Sequence, residues 1–211
     1  MKRIETFILA MLWVLNSNAH EFSTHWISYP TPNDSSEVLF CHVFPSQGKL
    51  KQGSISFASC GRIKVFVNER NISPKAYFCN PDSATVFIYT YDITRFLQPH
   101  KNTIAVWYAP ESGREPSKQL SMEYYGYDAK GKYFYHKANG DWKCCILKGC
   151  YVKKEIEAFD ACSYDTQWKS PDFDRSKWLN PLGAYNQSRD NKLINNSFER
   201  KLCTIRHIMT P

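Results

Sequence analysis

Apolar and polar residues alternate over short runs in this chain, and Gly, Pro, Asn and Asp interrupt the runs. A period of two is the signature of half-buried β-strands, and turn residues between runs mark where one strand ends and the next begins. The pattern predicts strands at Glu37 to Phe44, Gly53 to Ala58, Arg62 to Val67, Thr85 to Tyr91, Thr103 to Tyr108, Leu120 to Tyr127, Lys132 to His136 and Trp142 to Ile146. Short strands in this succession predict an all-β fold, a two-sheet sandwich or jelly roll. No long segment sustains a 3.6-residue period, which argues against a helical domain. One short helical turn is expected, with Asp92 as N-cap of Ile93 to Leu97 and Pro99 stopping it. Asn68 to Asn71 reads as a hairpin turn, because Asn tolerates left-handed backbone, and Gly126 to Gly131 as another.

The two ends depart from this pattern. Lys2 and Arg3 precede an apolar run from Phe7 to Leu15 and a small-residue exit at Ser17-Asn18-Ala19, the layout of a cleaved signal peptide over 1–19. The run is well short of the roughly 20 residues that span a bilayer. An exported, periplasmic or extracellular product without a transmembrane segment is expected. Residues 20–185 suit one sandwich domain, and 186–211 form a polar, basic, irregular tail in which only Leu202, Ile205 and Ile208 look able to dock.

Composition narrows the function classes. The formal charge is +7, and loss of Lys2, Arg3 and Glu5 with the signal lowers it by one. The remaining Lys and Arg are scattered, whereas a nucleic-acid footprint needs a stripe or patch, so nucleic acid is not an expected partner. Thirteen Tyr, thirteen Phe and six Trp exceed what a core of this size buries, which places some aromatic rings on the surface. Eight Cys in an exported chain permit disulfides but do not reveal their pairing. Cys41 and Cys60 fall in apolar runs and fit buried free thiols as well as bridges. Cys144, Cys145 and Cys150 resemble half of a zinc site that no paired motif completes, so no structural zinc is expected.

Five motifs, in order from Trp26 to Trp178, resemble the amino-terminal jelly-roll domain that precedes the catalytic domain in bacterial α-L-rhamnosidases. Trp26-Ile27-Ser28 resembles that domain's opening. Gly61 to Asn68 resembles a strand and turn that normally continues Asn-Gly, with Glu69 in place of Gly. Tyr91-Asp92-Ile93-Thr94 with Asn102 to Val106 resembles its helical turn and following strand. Asp141-Trp142-Lys143 resembles a strand start, and Phe159-Asp160-Ala161, Trp168 and Phe173 to Trp178 resemble the closing strand. The resemblance implies a jelly-roll, galactose-binding-like sandwich. Trp26, Trp142, Trp168 and Trp178 are read as core, since large aromatics in strand contexts usually are.

Two candidate sites follow. Because some members of the resembled family bind L-rhamnose through a loop-borne Ca²⁺, the resemblance points to Asn80 and Asp82 as calcium ligands. The same Asn-Pro-Asp loop also reads as a plain turn. Alternation turns Trp107 outward if Ile104 and Val106 point in, next to Tyr108 and a loop holding Glu111 and Arg114. A ring face beside polar groups is what a sugar platform needs, and packing against the tail or a partner domain is the alternative. Tyr124, Tyr125, Tyr127, Tyr133 and Tyr135 form a hairpin that fits a ladder of cross-strand pairs. No nucleophile elbow, zinc-protease helix or phosphate loop is present, and the six His are dispersed. The catalytic acids of the resembled family lie in a later domain. The expected function is therefore a non-catalytic, glycan-binding accessory module, with a co-encoded glycoside hydrolase as a partner. An amino-terminal fragment of a split or truncated hydrolase and a protein-interaction module are the alternatives.

Overall fold

The computed structural model describes residues 22, 25–31, 37–59, 61–73, 88–110, 119–147, 150–153, 156–159, 165–184 and 201–202, of which 150–153, 156–159, 184, 201 and 202 are described by backbone alone. Strands β1 (Trp26–Ser28), β3 (Gln52–Ser59), β6 (Tyr89–Asp92), β8 (Gln119–Tyr127), β9 (Tyr133–Lys137), β13 (Leu182–Ala184) and β14 (Lys201–Leu202) form a seven-stranded sheet. Its order is β13-β1-β8-β3-β6-β14, with β9 also on β8. Strands β2 (Glu37–Pro45), β4 (Arg62–Val67), β5 (Arg70–Asn71), β7 (Lys101–Ala109) and β10 (Lys143–Leu147) form a five-stranded sheet in the order β10-β2-β7-β4-β5. All these pairings are antiparallel except β14 on β6. The all-β sandwich read from the alternation is therefore the fold.

The inner faces pack on each other. Ile55 and Phe57 of β3, Leu120, Met122 and Tyr124 of β8, Phe40 and Phe44 of β2, Ile63 and Val65 of β4, and Ile104, Val106 and Tyr108 of β7 fill the space between the sheets. Within each set the positions are an even number of residues apart, so one face of each of these five strands is removed from water. Trp142 is fully buried in this core. The other tryptophans lie elsewhere. Trp26 packs with Ala58 on the outside of the seven-stranded sheet, while Trp168, with half-buried Trp178 against it, packs on the outside of the five-stranded one.

Local chemistry sets the connections. Asn68 (φ 47°) and Glu69 (φ 67°) are both left-handed, the requirement of a two-residue turn joining Val67 to Arg70. The turn forms with Glu where Gly is the usual residue, because Asn68 is held by three bonds: its amide donates to Phe96 O and Asn102 Oδ1, both at 2.7 Å, and its carbonyl accepts Thr103 N–H at 2.8 Å. The expected helical turn is a 3₁₀ turn of three residues, Thr94–Phe96, whose N-cap position is taken by Ile93 and not by Asp92; Asp92 Oδ1, one residue earlier, accepts Thr94 N–H at 2.8 Å. In the β8–β9 connection, Asp128 Oδ1 accepts both Lys130 N–H and Lys132 N–H at 2.8 Å. Gly126 belongs to β8 rather than to this turn, and any Cβ there would sit 2.0 Å from Gln52 O.

The closing cassette is arranged differently from its expected role. β12 (Ile156–Phe159) pairs with β11 (Cys150–Lys153) in a separate two-stranded ribbon. Residues 165–178 instead cover the five-stranded sheet. Asp165 Oδ1 caps a second 3₁₀ turn, Thr166–Lys169, through Gln167 N–H. The Arg175 guanidinium donates to the carbonyls of Trp168 (2.7 Å), Ser170 (2.5 Å) and Phe173 (3.0 Å), and its charge lies 5.3 Å and 5.9 Å from the Phe173 and Trp178 ring centroids. One buried cation thus fastens the whole segment.

Candidate functional site

β7 places Trp107 on the outer face of its sheet, as alternation requires, but the ring is only 2% exposed and Tyr108, pointing inward, 1%. The expectation of an open Trp107 platform is corrected by residues distant in sequence. Trp168, Phe66 and Leu39 share a buried cluster with it, and Phe173 and Trp178 pack against the cluster. The Trp107 indole N–H donates to Glu37 Oε2, and the Lys64 ammonium lies 5.4 Å from the Trp107 ring centroid. Burial raises the Glu37 carboxyl, opposed by the Trp107 bond and by nearby Arg62 and Lys64. This is a satisfied polar patch under a lid. Glu111 and Arg114 lie outside the described residues, as do Asn80 and Asp82 of the expected calcium loop. Among the described residues no group of three or more His, Cys, Asp or Glu converges as a metal site would.

The opposite outer face has a different character. In β8, Glu123, Tyr125 and Tyr127 alternate outward while Met122 and Tyr124 point in. The turn then brings β9 back in register, pairing Tyr127 with Tyr133, Tyr125 with Tyr135 and Glu123 with Lys137. On the other side, β3 sets Ser54 beside Tyr125 and Ser56 beside Glu123, and β6 sets Thr90 beside Ser56. The expected cross-strand ladder therefore exists, with Tyr124 removed from it. Its outermost pair is open, Tyr127 at 44% and Tyr133 at 46% exposure, with ring centroids 5.6 Å apart and planes inclined at 65°.

Behind this open pair the face becomes polar and closed. Tyr135 donates its hydroxyl to Glu123 Oε2 at 3.0 Å, and Glu123 is wholly buried. Ser56 Oγ lies 2.8 Å from Thr90 Oγ1 and 3.4 Å from Tyr125 Oη. The Tyr133 hydroxyl is held above its ordinary range by partial burial first, then by Tyr125, Glu123 and Tyr127 around it. The arrangement offers ring faces for C–H surfaces, with hydroxyls and one carboxylate within the same face. The spacing Tyr125-x-Tyr127 and Tyr133-x-Tyr135 around the turn bracketed by Asp128 and Gly131 was the sequence signal for it.

Two further groups complete the picture, the first of them against expectation. His42 and His136 are not dispersed but meet at the mouth of the inner core, ring centroids 6.2 Å apart, with Tyr124 Oη 2.6 Å from His42 Nδ1. Trp142 stacks on His42 at 5.6 Å. Burial, and then the neighbouring His136, hold His42 down to about 4. Cys41 and Cys144 are buried free thiols, both pushed up to about 12 by burial. Cys144 lies in the inner core, and its neighbour Cys145 points to the other face of β10.

Solved structures share this architecture. An α-L-rhamnosidase from Dictyoglumus thermophilum superposes with a TM-score of 0.67 at 18% identity, over 80% of this chain and 22% of that one. The Streptomyces avermitilis α-L-rhamnosidase complexed with L-rhamnose gives 0.62 at 22% identity, over 72% of this chain and 16% of that one. A lectin from Pleurotus ostreatus in complex with GalNAc gives 0.53 at 16% identity, over 76% and 43%. No protein-family model and no curated protein matches the sequence. The chain thus has the fold of a β-sandwich domain found in α-L-rhamnosidases, and it spans about a fifth of the length of those enzymes. No helix among the described residues is long and apolar enough to cross a membrane.

Proposed function

We propose that this chain is an exported, non-catalytic carbohydrate-binding module that works alongside a glycoside hydrolase, and that its binding surface is the tyrosine corner of the β8–β9 hairpin. The observation that carries the reading is the open Tyr127–Tyr133 pair backed by Tyr135 and Glu123. Leaving an aromatic pair in water forgoes the free energy its burial would contribute, and here the pair adjoins fixed hydrogen-bonding groups, the combination sugar hydroxyls and C–H faces require. Sandwiches of the same fold occur in a rhamnosidase complexed with L-rhamnose and in a lectin complexed with GalNAc, which supports sugar binding on this scaffold. The export step rests on residues 1–19, and a calcium contribution rests on Asn80 and Asp82.

The test is calorimetry with L-rhamnose, N-acetylgalactosamine and short plant-type oligosaccharides, with and without calcium. Saturable binding that Tyr133→Ala abolishes is expected. Absence of binding to every glycan would contradict the reading, and hydrolysis of an aryl α-L-rhamnoside by this chain alone would contradict its non-catalytic part. The small share of the enzyme chains that is matched favours one second reading, a sugar-binding part whose catalytic domain is supplied by another chain. Stable co-purification with a co-encoded hydrolase distinguishes it.

A further inference from the structure

The shape and charge of the tyrosine corner narrow its ligand. Tyr127 and Tyr133 meet at 65°, so the two rings form a corner and not a continuous flat strip. A long chain lying along the face would stack on one ring and collide with the edge of the other. Beyond the pair the tyrosines sink, since Tyr125 and Tyr135 are half-buried, and on the other side lies the turn closed by Asp128. The open footprint is one strand pair wide and about two residues long, on the order of 5 by 7 Å. That accommodates the end of a chain.

Charge acts in the same direction. Glu123 is wholly buried on this face and bonds Tyr135, while Ser56 and Thr90, both uncharged, occupy the neighbouring strands. Lys137 lies opposite Glu123 in register, with its ammonium 2.6 Å from His25 Nε2. Lys130 and Lys132 of the turn are exposed, where salt and water screen them, whereas a buried carboxylate is screened much less. The Tyr133 hydroxyl is raised first by burial, then by Tyr125, and after them by Glu123, so Glu123 lies close enough to the corner to act on a group bound there.

We infer, resting on the glycan-binding reading above, that the corner captures the terminal one or two residues of a neutral glycan and discriminates against uronic-acid sugars. The experiment is calorimetry of the full chain with neutral oligosaccharides of two to five residues and with di- and trigalacturonate. Neutral disaccharide and pentasaccharide should bind within about threefold of each other, and galacturonates at least about tenfold more weakly. Glu123→Gln, which keeps an acceptor for Tyr135, should bring galacturonate to within about threefold of the neutral ligand. Galacturonate binding as tight as neutral in the unaltered chain, or affinity rising tenfold or more with length, would overturn the inference while leaving glycan binding intact. Failure of every sugar to bind would overturn both. The unaltered chain decides these outcomes even if the Glu123 variant does not fold.

Discussion

The outer faces of the two sheets both carry large aromatic residues at alternating positions, and the fold treats them in opposite ways. On the five-stranded sheet Trp107 is sealed beneath Trp168, Phe173 and Trp178. On the seven-stranded sheet Tyr127 and Tyr133 stay open. The chemistry of the rings accounts for part of the difference. Phe66 and Leu39 beside Trp107 are apolar, so a covering layer gains the burial of that whole patch, and Arg175 fixes the layer through three carbonyls. The tyrosine ladder satisfies hydroxyls within its own face, through Tyr135 to Glu123 and Tyr125 to Ser56, and leaves its outermost rings for a ligand. An outward aromatic in a strand is thus a candidate for binding only when no distant segment returns to cover it.

The largest effect should come from unsealing the closed face. Trp168→Ala removes the ring that touches Phe66 edge-on at 5.8 Å and is expected to cost about 3–5 kcal/mol in urea denaturation. Sugar affinity of the folded fraction should not change. A lost affinity with unchanged stability would invert the roles of the two faces.

Acid should attack the interior between the faces rather than either surface. His42 is held down to about 4 by burial and by His136, with Asp141 opposing and Tyr124 bonded to it. A base whose folded pKa lies below its unfolded value of about 6.5 takes up its proton more readily when unfolded. Stability is therefore full above pH 6.5 and falls as the pH drops towards 4, by on the order of 3 kcal/mol for this group. His136, also lowered by burial, adds in the same direction. His42→Gln should flatten the denaturation midpoint across that window; an unchanged slope would contradict the assignment.

Opening the comparison from the other side, Tyr133→Ala should weaken glycan binding at least about tenfold while shifting stability by less than about 1 kcal/mol, since the ring is nearly half exposed. The smallest expected effect is a control away from the tyrosine corner. Glu69→Gly relieves a left-handed backbone (φ 67°) and should raise stability by about 1 kcal/mol without altering binding.

Alternation made the strands legible because each buries one face, and Asp92, Asn68 and Asp128 made the turns legible because their side chains bond neighbouring backbone amides. The outward direction of Trp107 was legible for the same reason. Its burial was not, because the residues that cover it follow it by about sixty positions and are brought back by an arginine whose partners are backbone carbonyls. The meeting of His42 with His136 is equally non-local, depending on where β9 lies relative to β2. The tyrosine corner was half legible: spacing put five tyrosines on one hairpin and alternation turns Tyr124 inward, but only the register of β9 on β8 sets Tyr127 opposite Tyr133.

The most direct test of one sealed and one open face is an NMR titration of isotope-labelled protein with a neutral disaccharide. Shift changes should concentrate at Tyr125, Tyr127, Tyr133 and Tyr135, with the Trp107 and Trp168 indole signals unmoved. Changes centred on Trp107 and the loop after it, with the tyrosine hairpin silent, would contradict that arrangement.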